Sequence, residues 1–99
     1  MDDMNLVLLE GNIISVDSSK EIDGKTVMNF ILENVRRNGS QRFKYNCVAW
    51  NKTIEKFGDR IKEGNFVRIT GHLQDSVKKL ETMDFHYSKV CVDFIDFDD

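Results

Sequence analysis

The order of apolar and polar positions along the chain predicts five strands and one short helix. Leu6–Leu9 is an apolar block closed by Glu10-Gly11-Asn12 and resumed at Ile13, Ile14 and Val16, which predicts a long strand bent at its glycine. Residues 17–25 are polar and hold Asp23-Gly24, a hairpin-type turn. A second strand follows over Thr26–Val35, with Phe30 and Leu32 on one face. Asn38-Gly39-Ser40 marks a turn, and Arg42–Trp50 is a third strand rich in aromatic and β-branched residues. The period then changes. Ile54, Phe57 and Ile61 fall at spacings of three and four, which predicts a short amphipathic helix with Asn51 as its N-cap and Gly64 just past its end. Phe66–Leu73 alternates again as a fourth strand, Asp75–Asp84 reads as a polar loop, and Phe85–Phe97 is the fifth strand.

Strand, strand, strand, helix, strand, strand is the order of an all-β, five-stranded OB-fold barrel with its helix between strands three and four. An unrelated α+β sheet shares that order. At 99 residues, without proline or a low-complexity tract, the chain is expected to form a single domain spanning 1–99, with one modest core.

Charge changes this picture more than composition does. The net charge of −3 argues against a polyanion-binding protein until it is divided by region. Residues 1–35 carry two basic against seven acidic side chains, residues 36–68 nine against three, and residues 69–99 three against seven. A basic middle between acidic ends can present a basic face, because binding responds to local potential. The same distribution also fits an ordinary solvated surface.

The third strand divides its residues by period two. Phe43, Tyr45, Cys47 and Ala49 share a face expected to be core, as are Phe30, Phe57, Phe66 and Phe94. Lys44, Asn46, Val48 and Trp50 share the other, with Arg36, Arg37 and Arg42 at one end and Lys52 at the other. Holding a single nucleic-acid strand needs cations along the phosphates and flat faces on which bases stack, and this face offers both. Trp50 is also compatible with a place in the core or a subunit interface, and the arginines and Lys78-Lys79 with loop charge that only keeps the protein soluble. The facings of Arg68, Lys89, Phe85, Tyr87 and Phe97 stay open.

Other chemistry is not indicated. Cys47 and Cys91 sit in apolar runs without metal-ligand spacing and read as small buried thiols. His72 and His86 read as structural or surface residues, and no nucleophile motif, phosphate loop or paired CxxC occurs. No enzyme activity, cofactor or metal is therefore expected. The opening MDDMNLVLLEG begins acidic, and its apolar run is too short for a signal peptide or membrane span, so a cytoplasmic setting without membrane contact is expected.

Four segments resemble the bacterial and phage single-stranded DNA-binding (SSB) family: NLVLLEGNI at 5–13, TVMNFIL at 26–32, YNCVAWNK at 45–52 and IKEGNFVRITGHLQ at 61–74. They occur in the family's order and at nearly its spacings. The resemblance implies an OB barrel that binds single-stranded DNA with little sequence specificity in replication, recombination or repair. It further implies a homo-oligomer, usually a tetramer and less often a dimer. It assigns the base-contacting aromatic to Trp50 and places Asn29 on the ligand-facing side of the second strand. With Lys44, Arg36, Arg37, Arg42, Lys52, Lys78 and Lys79, these are the expected DNA-binding residues. Asn38, Lys44 and Lys78 stand where well-studied members have aromatics, and the chain ends FIDFDD in place of a long tail tipped by Pro-Phe. Those departures suit an alternative, an OB-fold protein-interaction module of a replication or primosome complex with weak nucleic-acid binding, of the kind found among primosomal replication proteins.

Overall fold

Alternation buries one side of each strand, and the computed structural model closes those sides on one another. It describes residues 3–36 and 38–97. The elements are β1 (Val7–Val16), β2 (Lys20–Ile22), β3 (Lys25–Val35), β4 (Arg42–Trp50), α1 (Asn51–Phe57, continued by a 3-10 turn over Gly58–Arg60), β5 (Phe66–Lys79) and β6 (Asp84–Phe97). The sheet runs β1-β5-β6-β4-β3-β2, and β1 pairs also with β3, so five strands form a closed ring with β2 outside it. All pairs are antiparallel except β4 with β6. This is the expected OB-fold barrel, with α1 between the third and fourth strands of the ring.

The core is the inward side of that ring: Ile13, Phe30, Leu32, Cys47, Ala49, Ile61, Val67, Ile69, Val90, Val92 and Ile95. Ile54 and Phe57 of α1 pack against it from one end. Closure depends on β1 serving two partners, β5 through Val7–Asn12 and β3 through Asn12–Val16. Gly11 stands at the changeover, where a Cβ would lie 2.2 Å from the Glu33 carbonyl oxygen. The glycine bend read from sequence therefore has a steric cause: β3 crosses too close for any side chain.

Four local expectations are corrected. Asp75–Asp84 is not a loop; β5 and β6 continue through it in register from Asp75↔Ser88 to Lys79↔Asp84, leaving a connection of residues 80–83. This hairpin projects from the barrel with most of its residues exposed, so it shows no apolar alternation to read. Residues 20–22, all exposed and so equally without a readable alternation, form β2, joined to β3 by Asp23-Gly24, both at positive φ as a tight hairpin turn demands. Phe43, Tyr45, Phe66 and Phe94 are exposed rather than core, the first two because β3 and β4 run on past the barrel's end. Asn51 does not cap α1. It adopts a φ of 29°, and its Oδ1 accepts the Thr26 backbone N–H at 2.9 Å, tying the end of β4 to the start of β3.

Candidate nucleic-acid interface

Register decides which side chains share the outer wall. Val27↔Trp50, Asn29↔Val48, Ile31↔Asn46 and Glu33↔Lys44 are directly opposed, so Lys44, Asn46, Val48 and Trp50 lie on one face with Val27, Asn29, Ile31 and Glu33. Phe30, Leu32, Cys47 and Ala49 occupy the other face and are core. Trp50 is half-buried and outside the core cluster, set beside the buried Val27 and Val48 on the outer wall. Asn51 pins the backbone immediately after it.

The parallel pairing of β4 with β6 extends this wall. Cys47↔Val90 joins two core residues, so Val48↔Cys91 joins two outward ones, and by period two Lys89, Tyr87 and Phe85 face outward with Cys91. Only those two residue pairs link the strands. Beyond them the β3–β4 and β5–β6 hairpins part as two arms. At their root is a cleft of about 360 Å³ lined by Ser15, Asp17, Asn29, Ile31, Asn46 and Lys89, with Phe30 and Cys47 at its floor. Two carboxamides, an ammonium and the Asp17 carboxylate thus meet in one groove.

One wall of the groove carries an aromatic pair that the sequence reading left open. The Phe85 and Tyr87 rings stack at 6.2 Å with planes 22° apart, and Lys89 Nζ lies 5.6 Å from the Tyr87 centroid. Phe85 is directly opposite Lys78. Alternation across Lys78, Phe85, Tyr87 and Lys89 was the available signal, but assigning a face needed the β4–β6 register, which no local pattern encodes.

The expected cations are distributed unevenly. Arg36 sits 5.9 Å from the Phe43 ring, in the β3–β4 hairpin. Arg42 Nη1 is held 2.8 Å from the half-buried Glu33 Oε1, so its charge is partly compensated. Arg37 lies outside the described residues. Lys44, Lys52, Lys78 and Lys79 are exposed and make no ion pair among the described residues. Lys52 is on α1, two residues after Trp50, and Lys78 is on the outward face. Lys79, opposed to Asp84, points to the reverse side of the hairpin. Asn29, Lys44 and Trp50 are therefore brought onto the outer face of β3 and β4 and Lys78 onto the outward face of the β5–β6 arm, with Arg36 and Arg42 at the outer end of the β3–β4 arm.

The two thiols are free. Burial pushes the Cys47 thiol from 9.0 up to about 12, and burial, then the Asp93 carboxylate, raises Cys91.

A closed five-stranded barrel with a carboxamide- and lysine-lined groove between two arms is an OB-fold of the nucleic-acid-binding type. Consistent with that class, residues 4–97 match the family model described as the single-strand binding protein family. The chain belongs to this family. Among solved structures, it is similar to the dimeric N-terminal domain of PriB protein from Thermoanaerobacter tencongensis, with a TM-score of 0.74 and 24% identity. The likeness covers 96% of this chain and 97% of that one, and at such identity it bears on the fold. Comparison with curated protein sequences gave no match.

Proposed function

We propose that this protein binds single-stranded DNA with little sequence specificity, acting in replication, recombination or repair as a non-catalytic coat. The chain acts as one OB domain, in the cytoplasm and as a homo-oligomer. The observation that carries this reading is the groove at the root of the two arms, lined by Asn29, Asn46 and Lys89, with Trp50 on the same outer face of β4 beyond the β4–β6 seam and Phe85–Tyr87 on the outward face of the β5–β6 arm. Bases stack on the aromatic rings, and any base serves because all four present a flat face. Lys44, Lys52, Lys78 and Lys89 follow the phosphates and release counterions. Asn29 and Asn46 offer both donors and acceptors to base edges or sugar without demanding one base. Among the described residues no helix is long and apolar enough to cross a membrane.

Titration with a deoxythymidine oligomer and with duplex DNA of equal length, at low and moderate salt, tests the proposal through tryptophan emission. The single strand alone should quench Trp50, with affinity falling steeply as salt rises. No quenching by either would favour the protein-interaction reading, which the polar residues at Asn38, Lys44 and Lys78 support.

A further inference from the structure

Beside the groove, on the outward face of the root of the β5–β6 hairpin, three different metal-ligating side chains come together. His72 and Cys91 are directly opposed across the strands, and Asp93 follows Cys91 by two residues on the same face. The register places Val92 opposite Gly71 and Phe94 opposite Thr70, so Asp93 is the extra residue of a β-bulge. Gly71 brings the strands together there: a Cβ on it would lie 2.1 Å from the Cys91 carbonyl oxygen. One ligand atom from each of His72, Cys91 and Asp93 lies within 4.8 Å of the others. The His72 Nδ1–Asp93 Oδ2 distance is 2.9 Å.

We propose that His72, Cys91 and Asp93 form a binding site for a zinc-class divalent ion, with a fourth position left to solvent. Imidazole nitrogen, thiolate sulfur and carboxylate oxygen are the three donor types zinc takes, and three protein ligands with an open position is an established zinc arrangement. A regular tetrahedron around zinc has edges of about 3.3–3.8 Å, so separations of up to 4.8 Å need close by at most about 1.5 Å and the 2.9 Å His72–Asp93 contact need open by less than about an ångström, both within reach of side-chain rotation. The mixture selects against magnesium and calcium, which want oxygen alone, and the thiolate favours a borderline-soft ion. On binding, the Cys91 thiol gives its proton to solvent and the sulfur takes the metal; the imidazole bonds through its unprotonated nitrogen.

The second histidine–carboxylate contact of the hairpin sharpens the inference. His86 Nδ1 lies 3.2 Å from Asp75 Oδ2, but among the described residues this pair has no thiol beside it and belongs to no three-donor group. It serves as an internal control. A metal at the first cluster would clamp β5 to β6 where the arm bearing Lys78, Phe85 and Tyr87 leaves the barrel, and its sulfur ligand neighbours Val48 on β4. Occupancy would therefore stiffen one wall of the groove.

The test is a cobalt(II) titration of untagged, chelator-stripped full chain under a thiol-free reductant, followed by zinc back-titration. One equivalent of cobalt should produce a thiolate-to-metal charge-transfer band that zinc abolishes. Cys91→Ser should remove the band and Cys47→Ala should keep it. His72→Ala and Asp93→Asn should each weaken cobalt binding by about tenfold or more, whereas His86→Ala should not. Circular dichroism of each variant separates lost ligation from lost folding. A folded wild-type chain with no charge-transfer band at equimolar cobalt, or a band surviving in Cys91→Ser, would overturn the site.

Discussion

At the scale of single residues, two side chains of β4 carry opposite expectations because alternation points them to opposite sides of the barrel wall. Trp50 faces outward and half-exposed. Replacing it with alanine should cost the stacking of about one base, roughly 1–3 kcal/mol or about 5- to 150-fold in affinity for a deoxythymidine oligomer. Trp50→Phe should recover most of that loss. Fluorescence anisotropy of a labelled oligomer measures both, and equal losses in the two variants would mean the ring is not a stacking surface. Cys47, three residues earlier, is 1% exposed, and its thiol is pushed up to about 12 by burial. Its folded value exceeds its unfolded one, so its contribution to stability is whole below about pH 9 and is lost as pH rises toward 12. Within that window each unit removes about 1.4 kcal/mol. Denaturant melts of wild type and Cys47→Ala across it should show a shallower fall for the variant, since other titrating groups are common to both.

Among the elements, the β5–β6 hairpin distinguishes neighbouring lysines that sequence alone treats alike. Lys78 shares the outward face with Phe85, while Lys79 is turned away beside Asp84. Lys78→Ala should lower affinity for the single strand and reduce the slope of log K against log salt by somewhat less than one, as for one lost phosphate contact. Lys79→Ala should leave that slope nearly unchanged. Identical slopes in the two variants would argue that the arm is not presented in the orientation described. The same hairpin marks the boundary of what the sequence could reveal. Strands with one side in the core, β1, β3, β4 and the barrel portion of β5, announce themselves by period two, which also turns Trp50 outward, and the Asp23-Gly24 turn announces itself by residue type. Segments solvated on both sides, β2 and the outer hairpin, leave no such trace. Nor does a local pattern reveal that Val48 neighbours Cys91 across the barrel seam. The groove, the Phe85–Tyr87 pair and the His72–Cys91–Asp93 cluster all depend on pairings between strands distant in sequence. Legibility therefore ended where contacts stopped being local.

For the whole molecule, the outer surface of β1 sets how copies of the chain meet. Val7 and Leu9 pack toward the core, which leaves Leu6 and Leu8 on the outside at 62% and 67% exposed. Leu8 is opposite Thr70, and Thr70 is opposite Phe94, which is itself 48% exposed, so a row with exposed apolar side chains at both ends crosses three strands. Beside it, Val7–Gly11 pairs with β5 on one edge only, because β3 takes up pairing from Asn12 onward. An open strand edge next to exposed leucines is a surface that a second copy of the chain can complete by pairing and burial together. Self-association through β1 should therefore appear as a dimer or larger species in light scattering. Leu8→Glu, which places a charge at the β1 end of the row beside the open edge, should shift that equilibrium toward monomer. Trp50 lies on β4, elsewhere on the wall, so a short oligomer that spans one groove should bind the monomeric variant nearly as well as wild type. A longer oligomer should lose more, because wrapping several grooves requires that they be joined. If Leu8→Glu scattered as wild type does, the contact between copies would lie elsewhere on the barrel.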